Sequence, residues 1–91
     1  MMTFTYIEDP GHAWLQVPYS LLERLNIDNK ITQYSYRNRY FAWLEEDCDA
    51  PLLIDVLRAN EEEFTIEEHY VKDRDVYFAQ QGGVFHFCNC I

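Results

Sequence analysis

Between Tyr34 and Leu57 the chain passes without a break from alternating aromatics to an acidic corner to an amphipathic helix, YSYRNRYFAWLEEDCDAPLLIDVL. Few folds accommodate that succession. Tyr34, Tyr36, Tyr40, Phe41 and Trp43 flank Arg37-Asn38-Arg39. Aromatic side chains suit a pleated surface and pair across strands. Asn38 tolerates the positive φ of a tight turn, which predicts a hairpin. Tyr40, Ala42 and Leu44 point one way and Phe41 and Trp43 the other. Both faces of that strand are apolar, so it belongs in the middle of a sheet. Asp49 then reads as an N-cap, with Pro51 in the first turn. Leu52, Leu53, Val56 and Leu57 recur at helical spacing, and Asn60 reads as the left-handed stop.

The flanking segments extend this pattern. Thr3 to Ile7 alternates as a strand, Asp9-Pro10-Gly11 is a turn, and His12 to Val17 is the return strand. Pro18 to Leu25 predicts a short helix with a Ser20–Glu23 capping box. Lys30 to Tyr36 reads as a strand leading into the hairpin. Glu61 to Val71 alternates as a strand with one wet face. Val76 to Ala79 and Val84 to Cys90 read as two more strands, separated by Gln80-Gln81-Gly82-Gly83. The expected order is ββαββαβββ. This is a single α+β domain over residues 1–91, with a mostly antiparallel sheet and two helices on one face.

The totals exclude several classes. Hydrophobic residues make up 48% of the 91, with only 3 Gly and 3 Pro, so a core is expected rather than disorder. No apolar run is long enough for a membrane span. The opening MMTFTYIEDP lacks the basic and apolar regions of a secretory leader, which predicts a cytoplasmic protein. Three cysteines do not suggest a disulfide framework.

The net charge of -9 is placed unevenly. Glu45, Glu46, Asp47, Asp49, Asp55, Glu61, Glu62, Glu63, Glu67 and Glu68 fall in one block with Arg58 as its sole base, and the rest of the chain is neutral. Such a block repels nucleic acid and anionic membranes and attracts basic protein surfaces. Glu45, Glu46, Asp47, Asp49, Glu61, Glu62 and Glu63 are therefore the candidate partner-binding residues. Arg37 and Tyr40 join them, since Arg and Tyr anchor protein interfaces. No catalytic residue is assigned.

Two cysteine features offer other chemistry. His86, Cys88 and Cys90 alternate on one strand and offer an imidazole and two thiolates, a zinc-type set. Alternate residues on one strand converge poorly on a tetrahedral ion, and a fourth ligand is missing, so an ordinary terminal strand is the favoured reading and no cofactor is assigned. Cys48 precedes a helix N-terminus, which lowers a thiol pKa, but Glu45, Glu46, Asp47 and Asp49 oppose that. Paired carboxylates at Glu45 with Asp47 or Asp49 lack a phosphate loop and the EF-hand pattern.

Through GHAWLQVP (Gly11 to Pro18), SYR (Ser35 to Arg37), WLEEDCDAPLL (Trp43 to Leu53) and EFTIEEH (Glu63 to His69) the chain resembles a family of small uncharacterised proteins of bacteria, plasmids and phages. The resemblance implies no activity and transfers no catalytic residue. Carriage on mobile elements implies an accessory role. The expectation is thus an acidic protein-binding module, of the anti-defence, anti-CRISPR or anti-restriction type, that docks on the basic nucleic-acid-binding surface of a host protein. The alternatives are a small zinc-binding or thiol enzyme using His86, Cys88 and Cys90, and a structural protein that forms a homodimer through the edge strand Val84 to Cys90.

Overall fold

The computed structural model describes residues 1–88. Its elements are β1 (Met2–Glu8), β2 (Ala13–Pro18), α1 (Tyr19–Arg24), a 3-10 turn (Asp28–Lys30), β3 (Tyr36–Arg37), β4 (Phe41–Glu45), α2 (Asp49–Ala59), β5 (Phe64–Tyr70), α3 (Arg74–Gln80) and β6 (Phe85–His86). The six strands form one sheet in the order β5-β1-β2-β4-β3-β6. All neighbours are antiparallel except β1 and β5, which run parallel with Met2 beside Phe64 and Glu8 beside Tyr70. The α+β class with a mostly antiparallel sheet is as the sequence predicts.

Strand alternation divides the core in two. Phe4, Leu15, Val17, Ala42 and Leu44 project to one face, where Leu21 and Leu22 of α1 and Ala50, Leu53 and Leu57 of α2 cover them. Ile7, Trp14 and Trp43 project to the opposite face and meet Tyr77 and Phe78 of α3. The central strands β2 and β4 are thus apolar on both sides, which is what their continuous hydrophobic runs require.

The third helix is the main departure from the sequence reading. Val76 to Ala79 is helical, not extended, and lies on the face opposite α1 and α2. Its start is set by Asp73, whose carboxylate accepts from the N–H groups of Asp75 (2.9 Å) and Val76 (3.4 Å). Gly82 and Gly83, both at φ +85°, end it. β-Propensity at Val76, Tyr77 and Phe78 yields here to a capped turn that can lay two aromatics on the sheet.

Smaller differences have local causes. The 30–35 segment is a 3-10 turn and irregular chain, and only Tyr36–Arg37 pairs as β3. Asn38 keeps negative φ and closes the hairpin through its side chain, which accepts from the N–H groups of Tyr40 (3.0 Å) and Phe41 (2.8 Å). The left-handed residue after α2 is Glu61 (φ 57°), not Asn60. Helix α1 has Pro18 at its N-cap with no side-chain cap bond, so the Ser20–Glu23 box does not form. Of the terminal strand only Phe85–His86 is paired, and its last residues lie outside the described part of the chain.

Phe78 contacts the rings of Trp14 (5.5 Å), Trp43 (5.5 Å) and Tyr36 (5.0 Å) and is the pin that holds α3 on the sheet. Phe78→Ala is expected to lower stability by roughly 3–5 kcal/mol. Urea unfolding followed by tryptophan fluorescence checks this, because Trp14 and Trp43 report on that face directly.

Candidate functional site

The acids of the middle third do not form one zone. Strands β1, β2 and β4 end together at one edge of the molecule, with Glu8 opposite Ala13 and Trp14 opposite Glu45. Glu45, Glu46 and Asp47 therefore sit beside the Glu8–His12 turn, and the Glu46 N–H donates to the Ala13 carbonyl (3.2 Å). Glu61, Glu62 and Glu63 lie at the other end of α2 and β5, next to Met2. The eleven residues of α2 separate the two groups by about 16 Å. Glu62 is paired with Arg24 at 2.9 Å.

Arg37 and Tyr40 belong to the far end as well. The Arg37 guanidinium lies 3.5 Å from the Tyr19 ring centroid, so it closes the core rather than reaching outward. Tyr40 is exposed, and its carbonyl accepts from the Tyr19 N–H (2.9 Å). The expected partner-binding set is thus divided between two ends of the sheet.

Asp49 is removed from the surface altogether, at 1% exposure. It is the first residue of α2, with Cys48 in the N-cap position and no side-chain cap bond there. Its carboxylate instead accepts from the Thr32 N–H (3.1 and 3.2 Å), the Thr32 hydroxyl (2.7 Å) and the Ser35 hydroxyl. The Ser35 oxygen in turn accepts from the Glu45 N–H (2.8 Å). The Glu45 carboxylate accepts from the N–H groups of Asp47 (3.0 Å) and Cys48 (2.8 Å) and shapes the acidic turn.

At this end the sheet carries a cleft of about 380 Å³, lined by His12, Trp14, Tyr34, Tyr36, Glu45, Asp47, Cys48, Arg74 and His86. Alternation places Trp14, Tyr36 and His86 on the α3 face, where Trp14 is buried, Tyr36 half-buried and His86 exposed. Trp14 stacks with His12 (5.6 Å) and Tyr36 with His86 (4.3 Å), while Arg74 sits 5.8 Å from the Trp14 ring. A second hollow continues outward over Glu8, Asp9, His12, Glu46 and Tyr70. The Tyr6 hydroxyl donates to Glu46 (2.8 Å) beneath it. Burial, that bond and the charges of Glu46, Glu8 and Asp47 hold the Tyr6 phenol well above its ordinary range.

The thiol and the imidazole of this cleft are constrained by their neighbours. Cys48 shares the cleft with His12 and His86, but its thiol is pushed up by desolvation, by a hydrogen bond with Glu45 and by the charges of Glu45, Asp49 and Asp47. His86 Nδ1 is already bonded to the Gln33 carbonyl (2.7 Å). Among the described residues the only three-group cluster spaced for a metal ion is Glu45, Glu46 and Asp47. His86 and Cys88 belong to no such cluster there, and Cys90 lies outside the described residues. No family model, curated protein or solved structure matches the chain.

The sequence reading missed Trp14 and Arg74 as site residues. The parity of β2 and β4 held part of the signal: an acid at the end of β4 falls opposite the tryptophan of β2 once the two strands pair.

Asp49→Ala is expected to destabilise the domain by about 1–3 kcal/mol for each donor left unpaired. Asp47→Ala, at an exposed position, should stay within about 0.5 kcal/mol of the parent. Chemical denaturation of the two variants separates them. Iodoacetamide should label Cys48 more slowly than free cysteine at neutral pH, with the rate rising only above the ordinary thiol range. Mass spectrometry of the labelled peptide reads this out.

Proposed function

We propose that this chain is a protein-binding module that docks its acidic, aromatic-lined end onto a basic surface of a partner protein. One observation carries the reading. Glu45 and Asp47 line a cleft with half-buried Tyr36 and buried Trp14 at its floor, and Glu8, Asp9 and Glu46 line the adjoining hollow, which shares His12 with it. Aromatic faces attract lysine and arginine head groups, and carboxylates at the rim pair with them. Arg74 over Trp14 is an internal example of the same contact. The segments GHAWLQVP, SYR and WLEEDCDA all contribute residues to this end.

The finer form of the proposal is an accessory inhibitor of phage or mobile-element type. It would occupy the basic groove of a host nucleic-acid-binding protein, as anti-defence, anti-CRISPR or anti-restriction proteins do. Charge supports it: a chain of net charge -9 is repelled by phosphates and attracted to the surfaces that bind them. Direct nucleic-acid binding is disfavoured for the same reason. The mechanism is local docking rather than duplex mimicry, because DNA carries a charge every ~1.7 Å and the acids here are divided between two ends. A thiol-enzyme reading has less support, since the surroundings of Cys48 oppose its thiolate. Homodimerisation through β6 has the sheet edge and exposed Phe85 in its favour, while Phe87 is buried.

Titration with a short arginine-rich peptide, followed by Trp14 fluorescence, tests the coarse proposal. Binding should weaken steeply with salt, and the double reversal Glu46→Lys/Asp47→Lys should slow association about tenfold, since rim charges act on encounter rate. Unchanged binding in that variant would remove the electrostatic docking mechanism.

A further inference from the structure

The outer edge of β5 offers a second kind of surface. β5 ends the sheet and is paired on one side only, to β1. The Val71 N–H donates to Glu8 (2.7 Å) and the Glu63 carbonyl accepts from Met2 (3.4 Å). Odd-numbered residues of this segment therefore turn their backbone groups toward β1. Backbone direction alternates along a strand, so Phe64, Ile66, Glu68 and Tyr70 turn their N–H and C=O groups outward. No backbone bond among the described residues uses those outward groups.

Side chains beside this open edge are sorted by face. Ile66 and Tyr70 are exposed on one face, at 42% and 60%, with Glu68 between them. Glu67 lies on the opposite face, in register with Thr5 beside the Thr3–Thr65 hydroxyl pair. No lysine or arginine occurs between Asn60 and Val71, while Glu61, Glu62, Glu63, Glu67 and Glu68 do.

A second copy of the chain fits this edge poorly. Antiparallel pairing about Glu67 or Glu68 sets that glutamate against its own copy, and like charges directly opposite are destabilising. Pairing about Ile66 avoids direct opposition but places Glu68 against Phe64 and still brings two acidic strands together. The same acids that discourage self-pairing attract a basic strand.

We infer that the outer edge of β5 takes up an extended segment of a partner protein by strand addition. That segment alternates basic and apolar residues, its basic side chains over the Glu67 face and its apolar ones beside Ile66 and Tyr70. Main-chain hydrogen bonds supply affinity in this mode and alternate side chains supply selectivity.

The probe is a synthetic peptide of alternating lysine and valine, with a control of the same composition in which the lysines are contiguous. Amide exchange by NMR is the readout. The alternating peptide should slow exchange at Phe64, Ile66, Glu68 and Tyr70 by about tenfold. Thr65, Glu67, His69 and Val71, already bonded to β1, should change little, and the control peptide should protect the outward amides less. Glu68→Pro removes an outward N–H without touching the β1 ladder and should abolish the protection at Ile66 and Tyr70; Glu68→Gln, which loses only charge, should weaken it less. If Glu68→Pro does not fold, the exchange pattern of the parent protein decides. Peptide binding with the outward amides unprotected would overturn the inference. So would outward amides protected without peptide in a protein that sediments as a dimer, since the occupant would then be a second copy.

Discussion

One buried carboxylate holds the acidic end together. Asp49 begins α2, yet its oxygens face inward, onto Thr32 and Ser35. Hydrogen bonds to an ionised acceptor are stronger than neutral ones, and a buried carboxylate is tolerated only when so satisfied. Ser35 passes the constraint on, accepting from the Glu45 N–H while donating to Asp49. Three pieces of chain are thereby locked together: the irregular segment before β3, the end of β4 and the start of α2. Tyr34, Tyr36, Glu45 and Cys48 line the cleft from those pieces. The cleft is as rigid as the Asp49 network allows.

The second organising constraint is the two-sided sheet. β2 and β4 present Leu15, Val17, Ala42 and Leu44 to one side and Trp14 and Trp43 to the other. Helices α1 and α2 answer the first set. The second set needs its own cover, and α3 supplies it with Tyr77 and Phe78, Tyr77 also accepting from the Trp43 indole N–H (2.9 Å). A seven-residue helix cannot cover an aromatic face of that extent. Tyr36 and His86 stay partly uncovered and, beside buried Trp14, form the floor of the cleft.

This explains what could be read from the sequence. Strong local signals survived: the β1–β2 turn at Asp9, the paired strands, and α2 with its apolar stripe. The double-faced aromatics of Phe41 to Leu44 correctly demanded a central strand. What failed had two kinds of cause, contacts made across the fold and local caps that overrode propensity. Asp49 looked like an N-cap because its neighbours are those of a capped helix, but Thr32 and Ser35 outcompete the helix's own N–H groups for its oxygens. Val76 to Ala79 looked extended because β-propensity was weighed without the Asp73 cap and the Gly82–Gly83 stop. The acids were adjacent in sequence and so seemed adjacent in space, yet α2 carries Glu61 to Glu63 to the other end. The cleft could not be seen, because His12 with Trp14, Tyr36, and Arg74 come from three separate segments.

Charge count therefore overstates what a partner meets. Asp49 is internal, the Glu45 carboxylate shapes its own turn, and Glu62 faces Arg24. At physiological salt, fields fade over about 8 Å, half the ~16 Å length of α2, so the two acidic ends act as independent patches. A compact basic group can engage only one of them. β5 is the element that joins them along the surface, running from beside Glu63 to Tyr70 at the rim of the outer hollow, about 23 Å for its seven residues at strand rise. An extended segment laid along that strand draws on both patches with its backbone groups satisfied along the way.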